Sequence, residues 1–368
     1  MRILQIITEL NEGGAENALA EVCLRLHERG HELQVVSLYD GNGEAGLRLA
    51  ERGIQVTDLA WRRALQPSAL RNLRDRSRGF APEVVHAWLF HAGMAARFAG
   101  PRRTPLICGL RVSEPRTLHL LLERLTRGLV DRYVCVSPAV AAFARARLHV
   151  PQARLRVITN GVHPVPDAPE QPRPPRRPVH GLTIGRLTRQ KGVDVLLRAL
   201  ARLPRSLDWT WSVVGPEPEP RYAIQMKQLA TELGLGQRVR WLGPVPRERT
   251  AGLYAEADVF VLASRWEGQP NVVLEAFAHT LPVVATAVDG TADLDNEAPG
   301  CLEPVPPEDP AALADAIARV ATDASLRRRR AMLGRQLVAR RSWNRVTDAY
   351  EQLYTELTTQ ATASPSPG

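Results

Sequence analysis

Short apolar runs alternate with helical stretches along nearly the whole of this chain. In the first half, strands are expected at Arg2 to Thr8, Glu32 to Leu38, Gly53 to Leu59, Glu83 to Ala87, Thr104 to Leu110, Tyr133 to Ser137 and Leu155 to Thr159. Helical stretches separate them, such as Ala15 to Arg29 with Gly30 as its stop signal. Ser137-Pro138 reads as a cap followed by proline at the first helical position. This alternation predicts parallel sheets covered by helices, because a strand that rejoins its own sheet in the same direction needs a crossover element.

The pattern breaks once. Pro164 to Pro178 holds seven prolines, with Arg173, Arg176 and Arg177 among them. Such a run can be neither helix nor central strand, so it predicts a stiff, exposed linker at 164–178. The alternation then resumes, with strands expected at Gly181 to Gly185, Thr210 to Gly215, Val239 to Leu242, Val259 to Leu262 and Pro282 to Thr286. Helices are expected at Val193 to Arg202, Ala223 to Leu233, Arg247 to Glu256, Asn271 to His279, Ala311 to Ala321, Ser325 to Arg340 and Trp343 to Leu357. The length of 368 residues suits two domains, 1–163 and 179–342. The Thr-, Ala-, Ser- and Pro-rich tail at 359–368 is expected to be disordered. Two doubly wound sheets would bind ligands beyond the carboxyl ends of their strands.

The balance of 44% apolar and 24% charged residues fits a folded chain, not a disordered one. The net charge of +9 points to anionic small molecules or an anionic membrane surface. Aromatic residues do not interleave with the basic runs, so no stacking platform for nucleic acid is indicated. Cys23, Cys108, Cys135 and Cys301 are far apart, which gives no metal knuckle or redox pair and predicts reduced core thiols. Met1 to Thr8 lacks the features of a secretory leader, and no run is long and apolar enough to span a membrane. The expected location is cytoplasmic, with peripheral contact at the inner membrane face as a further reading.

Three segments carry chemistry. In Arg265-Trp266-Glu267-Gly268-Gln269-Pro270-Asn271-Val272-Val273-Leu274-Glu275, a loop bearing Glu267 leads into a helix with Pro270 at its first position. The amides of Asn271, Val272 and Val273 would open that helix and favour a phosphate. Glu275 adds a second carboxylate, an acceptor suited to sugar hydroxyls. In Gly185-Arg186-Leu187-Thr188-Arg189-Gln190-Lys191-Gly192, Arg186 and Lys191 follow a strand and can converge on one anion. Neutralising the growing charge on a diphosphate in this way is typically worth about 3 kcal/mol per contact. Asn11-Glu12-Gly13-Gly14-Ala15-Glu16 follows the first strand, where paired glycines allow a ligand to approach the backbone. Each segment taken singly is equally an ordinary loop.

Taken together, and in this order, they resemble glycosyltransferase family 4. The shared features are a Gly-Gly loop after the first strand, a Gly-Arg-x4-Lys-Gly loop, and two glutamates eight positions apart around Glu-Gly-x-Pro-Asn. Asn160-Gly161-Val162 and Val213-Val214-Gly215 are also similar. The resemblance implies a GT-B architecture, an α/β fold of two Rossmann-like doubly wound domains facing a central cleft. It implies that the helix at 343–358 crosses back to the first domain. Arg186 and Lys191 would grip the donor diphosphate, and Glu275 the ribose hydroxyls. Glu267 would contact the donor sugar, and the amides near Val272 and Gly14 would complete the phosphate cradle, with Gly13 and Gly215 lining it. His91, in His86-Ala87-Trp88-Leu89-Phe90-His91, is similar to a Trp-x-x-His pattern in which the histidine faces the transferred sugar. His86 is read as packing.

The implied reaction is transfer of a hexose-type sugar from a nucleotide-sugar donor to a glycan, lipid-linked or small-molecule acceptor, with retention. It would use no metal or other cofactor and serve cell-surface polysaccharide or glycolipid biosynthesis. Gln269, and Asp289-Gly290-Thr291-Ala292-Asp293 in place of Gly-Gly-x-x-Glu, depart from the family pattern at the donor. Alternatives are a nucleotide-sugar epimerase of the same fold and a binding protein without turnover. Leu118, Leu121, Leu122, Leu125 and Leu129 fall on one helical face between Pro115 and Leu129, expected to pack on the sheet, with an anionic membrane as the second reading. Arg327 to Arg330 is expected to be a solvated face.

Overall fold

A computed structural model describes residues 1–11, 13–61, 66–101, 103–113, 116–166, 168–174 and 177–363. The chain divides into two compact units: Met1–Gly161 together with the chain from Trp343 onward, and Val162–Ser342.

The first unit carries strands β1 (Arg2–Ile7), β2 (Glu32–Ser37), β3 (Gln55–Asp58), β4 (Val84–Trp88), β5 (Leu106–Leu110), β6 (Arg132–Cys135) and β7 (Leu155–Val157). Helices α1 (Gly14–Glu28), α2 (Glu44–Glu51), α3 (Pro67–Phe80), α4 (Leu89–Ala99), α5 (Thr117–Thr126) and α6 (Pro138–Leu148) connect them. The sheet order is β3-β2-β1-β4-β5-β6-β7, and every pairing among the described residues is parallel. Ile3 and Ile7 enter one apolar layer, and Leu4 and Ile6 the other. Burial on both faces is why these strands read as near-continuous apolar runs.

The second unit carries β8 (Val179–Ile184), β9 (Trp209–Val214), β10 (Val239–Gly243), β11 (Val259–Leu262), β12 (Val283–Thr286) and β13 (Glu303–Val305). Its helices are α7 (Val193–Leu200), α8 (Pro220–Glu232), α9 (Arg247–Glu256), α10 (Asn271–Ala278), α11 (Asp289–Glu297), α12 (Pro310–Thr322) and α13 (Ala324–Val338). The order β10-β9-β8-β11-β12-β13 is again all parallel among the described residues. Strand β13 is an element that the sequence pattern does not signal. It holds only three residues, one of them proline, and occupies the sheet edge, where a missing amide is tolerated.

The final helix, α14 (Trp343–Ala363), belongs to the first unit. Trp343, Val346, Tyr350, Leu353, Tyr354 and Leu357 enter its core. The helix runs past Thr358, correcting the expectation of a disordered tail for 359–363; residues 364–368 lie outside the described residues.

Three other expectations are corrected. The proline-rich segment belongs to the second unit and is not a free linker. Arg335 Nη1 donates to the carbonyls of Ala168 and Pro169, Thr280 Oγ1 donates to Pro169, and Arg327 Nη2 donates to Arg173. A proline-rich segment has few amides but keeps its carbonyl acceptors, and side chains of α13 and of Thr280 use those of Ala168, Pro169 and Arg173. Arg327 to Arg330 is not wholly solvated, since Arg327 is buried and Arg330 pairs with Glu303 at 2.5 Å. The expected leucine row of α5 does not pack on the sheet: Leu118, Leu121, Leu125 and the following Leu129 are exposed and Leu122 is half-buried, while the helix buries Leu120 and Glu123 instead.

Candidate active site

In a doubly wound sheet, neighbouring strands at the point of order reversal send their loops in opposite directions and leave a crevice at their carboxyl ends. In the second unit that point lies between β8 and β11. The loop after β8 carries Arg186 and Lys191, and the loop after β11 carries Glu267. In the first unit it lies between β1 and β4. Gly13 and Gly14 follow β1, and His91 lies in the first turn of α4 directly after β4. Each unit thus sets its share of the sequence-selected residues at its own reversal point.

Lys191 Nζ lies 2.6 Å from Glu267 Oε1, and Ser264 Oγ donates to the same oxygen at 2.6 Å. Glu267 is buried, and these two donors offset the cost of removing its charge from water. Gly192 makes the approach achievable. It adopts φ +62°, and a side chain there would place its first carbon 2.0 Å from the carbonyl oxygen of Ala263, the residue following β11. The two loops also share backbone bonds, from the Arg265 amide to the Gln190 carbonyl at 2.8 Å and from Gln190 Nε2 to the Trp266 carbonyl at 2.9 Å. Gly215, at φ +140°, lets the end of β9 pass close to the carbonyl of Gly185. It therefore shapes the Gly185–Lys191 loop.

Arg186 is exposed, and among the described residues its side chain makes no ion pair or hydrogen bond. Its charge is uncommitted, whereas that of Lys191 is held by a carboxylate. Arg265 is a third cation in the segment, but Asp194 and Glu308 hold it at 2.8 and 2.5 Å. Burial would raise the Asp194 carboxyl, yet hydrogen bonds from Arg265 and Tyr222 outweigh burial and hold it below its ordinary value. Arg265 thus braces the loop.

Helix α10 opens differently from the expectation. Pro270 is its cap residue, not its first helical residue, and the Val273 amide donates to the Pro270 carbonyl at 3.1 Å. Val273 is a fully buried core residue and is withdrawn as a phosphate donor; Asn271 and Val272 head the helix. Glu275 is half-buried one turn on, and the Tyr254 hydroxyl donates to its Oε2 at 2.8 Å. Burial, then the neighbouring Glu275 charge, raise the Tyr254 phenol well above its ordinary value, so it stays a neutral donor. Neither Tyr254 nor Ser264 is signalled locally in the sequence, because each contact depends on how two elements meet.

In the first unit, Gly13 caps α1, and a side chain there would collide with the Glu16 carboxylate. That carboxylate already faces the helix start, the position expected for a phosphate. His91 is exposed, with its ring centroid 6.0 Å from Tyr39 and 5.5 Å from His119. His86 is fully buried, as read, with its Nδ1 2.8 Å from the Tyr354 hydroxyl. The four cysteines are buried and free. Among the described residues no helix is long and apolar enough to cross a membrane.

A family model described as Glycosyltransferase Family 4 matches residues 12–166, and one described as Glycosyl transferases group 1 matches residues 179–323. The chain belongs to this glycosyltransferase family and is a glycosyltransferase of the GT-B fold. It is 30% identical to the lipopolysaccharide core biosynthesis glycosyltransferase LpsE of Rhizobium meliloti, over 93% of this chain and 96% of that one. It is 29% identical to LpsD of the same organism, over 93% and 95%. Among solved structures it resembles Anabaena HepE in complex with UDP and glucose, with a TM-score of 0.81, 21% identity, and coverage of 97% and 100%.

Proposed function

We propose that this glycosyltransferase transfers a hexose from a nucleoside-diphosphate sugar, with retention of configuration and without a metal ion, to a glycan or lipid-linked acceptor in cell-surface polysaccharide assembly. The observation that carries the proposal is the contrast at the β8–β11 crevice between the tethered Lys191 and the uncommitted Arg186. A departing diphosphate gains negative charge as its bond to the sugar lengthens, and fixed cations lower that barrier. Lys191 has further N–H donors beyond the one on Glu267. The second oxygen of Glu267 can accept a sugar hydroxyl, while Glu275, aligned by Tyr254, suits the ribose hydroxyls.

Under this reading the C1–phosphate bond breaks and the bond from C1 to the acceptor oxygen forms on the same face. The acceptor's hydroxyl proton passes to the departing phosphate oxygen, so no side chain serves as nucleophile. His91 keeps the role of contacting the transferred sugar. The names of LpsE and LpsD support a lipopolysaccharide-type acceptor. Four buried free thiols suit a reducing cytoplasm.

The test is a panel of nucleoside-diphosphate sugars offered with lipid-linked core glycans, reading nucleotide release, product mass and anomeric configuration. An α-linked donor should give an α-linked product, undiminished by EDTA. Inversion, or loss of turnover in chelator restored by a divalent cation, would refute the corresponding part of the proposal.

A further inference from the structure

Helix α5 is built inside out. Its buried positions are Leu120 and Glu123, and the Glu123 carboxylate is held by Arg97 Nη2 at 2.5 Å with the Tyr133 hydroxyl 3.3 Å away. Arg97 Nη1 also donates to Thr126 Oγ1 at 3.1 Å. An internal ion pair therefore fixes the rotation of the helix about its axis. The opposite face carries Leu118 at 64% exposure, Leu121 at 50% and Leu125 at 72%, and Leu129 follows at 54%. At 3.6 residues per turn the first three lie within an arc of about 60°. Single exposed leucines need no explanation, but an aligned row at the expense of a buried carboxylate does.

The surroundings are basic. Between Arg116 and Leu148 there are six arginines and two acidic residues. Both carboxylates are engaged with their own fold, Glu123 with Arg97 and Asp131 with the Leu106 amide at 2.8 Å. Arg124 Nε donates to the Arg147 carbonyl and Arg127 Nη1 to the Arg124 carbonyl, so neither guanidinium is spent on a carboxylate by these bonds. Arg145 and Arg147 are exposed on α6, which packs against α5.

We propose that α5 is a docking surface for an anionic phospholipid bilayer, with Leu118, Leu121 and Leu125 entering the interface and the arginines meeting the headgroups. A leucine row without the charge would suit a second protein copy equally; the arginines favour lipid. The proposal rests on α5 and its neighbours and is independent of the donor reading.

The experiment is vesicle flotation of the full chain with phosphatidylcholine alone and with phosphatidylcholine mixed with phosphatidylglycerol. Flotation should require the anionic lipid and fall with added salt. The triple variant Leu118→Ser, Leu121→Ser, Leu125→Ser should bind at least about tenfold more weakly, with its melting temperature unchanged or raised. Leu47→Ser, at an exposed leucine on α2, should float like the parent. Absent flotation, equal flotation on neutral vesicles, or unchanged binding by the triple variant would overturn the proposal. So would a dimer in sedimentation equilibrium that the triple variant abolishes, which would make the row a contact between copies.

Discussion

Lys191 Nζ and Glu267 Oε1 stand 2.6 Å apart across two loops that the sequence separates by 76 residues. The carboxylate holds the ammonium in place, and Ser264 holds the carboxylate. Neither charged group is then optional for the other, because removing one leaves its partner uncompensated in a buried setting.

Lys191→Met and Glu267→Gln are each expected to lower kcat by about 10²–10³. Their combination should cost little more than either alone, since groups that act as a unit are not additive. Nucleotide release in a double-mutant cycle reads this directly. Additive losses would show that the pair is not a unit.

Tyr254→Phe removes one hydroxyl from Glu275 and leaves the ring stacked on His279, whose centroid lies 5.2 Å away. A lost hydrogen bond to a charged acceptor is worth about 1.5–3 kcal/mol. If Glu275 holds the ribose, the donor KM should rise about tenfold with kcat nearly unchanged. A fall in kcat at constant KM would instead place Glu275 at the reacting sugar.

Gly192→Ala meets both a left-handed backbone and the Ala263 carbonyl. Strain of this kind costs about 1–3 kcal/mol. Because the same contact sets Lys191 beside Glu267, the melting temperature and kcat should fall together, whereas a purely structural glycine would lower only the first.

Acid should loosen the first unit through His86. Burial, and then the neighbouring Arg111 guanidinium, hold its imidazole down at about 3. The free side chain titrates near about 6.5. The folded state favours the neutral ring, so this contribution is complete above pH ~6.5 and is lost as pH falls from there toward about 3. Gln5 Nε2 donates to the Tyr354 hydroxyl, whose own proton then goes to His86 Nδ1, and this network ties α14 to the sheet. Urea midpoints measured against pH should slope downward below 6.5 in the parent, and the slope should flatten in His86→Leu.

Much of the architecture was legible because its signals are local. Apolar runs bounded by glycine and proline marked the strands on both sides of the reversal points, and the Gly-Arg-x4-Lys-Gly and Glu-x7-Glu spacings marked the two loops of the second unit. What escaped depends on contacts between distant elements. The sequence alone presents the Val273 amide as available, whereas the cap falls on Pro270 and its carbonyl accepts that amide. The α5 leucines looked like core because periodicity reports that a stripe exists, and not which way it points; an arginine on α4 decided that. Residues 164–178 read as a linker because the partners of the Ala168 and Pro169 carbonyls lie more than a hundred residues further on.

The chain leaves the first unit at Gly161 and re-enters it at Trp343. A ribosome therefore finishes the second unit while the first still lacks Tyr350, Leu353 and Tyr354, which fill the layer beside Ile3 and Ile7. During synthesis the earlier-made half should be the later one to mature, an inversion of the usual amino-terminal-first order. Chains stopped at Ser342 should yield a protease-resistant fragment from the newer half only, and resistance of the older half should appear once the closing helix has been added.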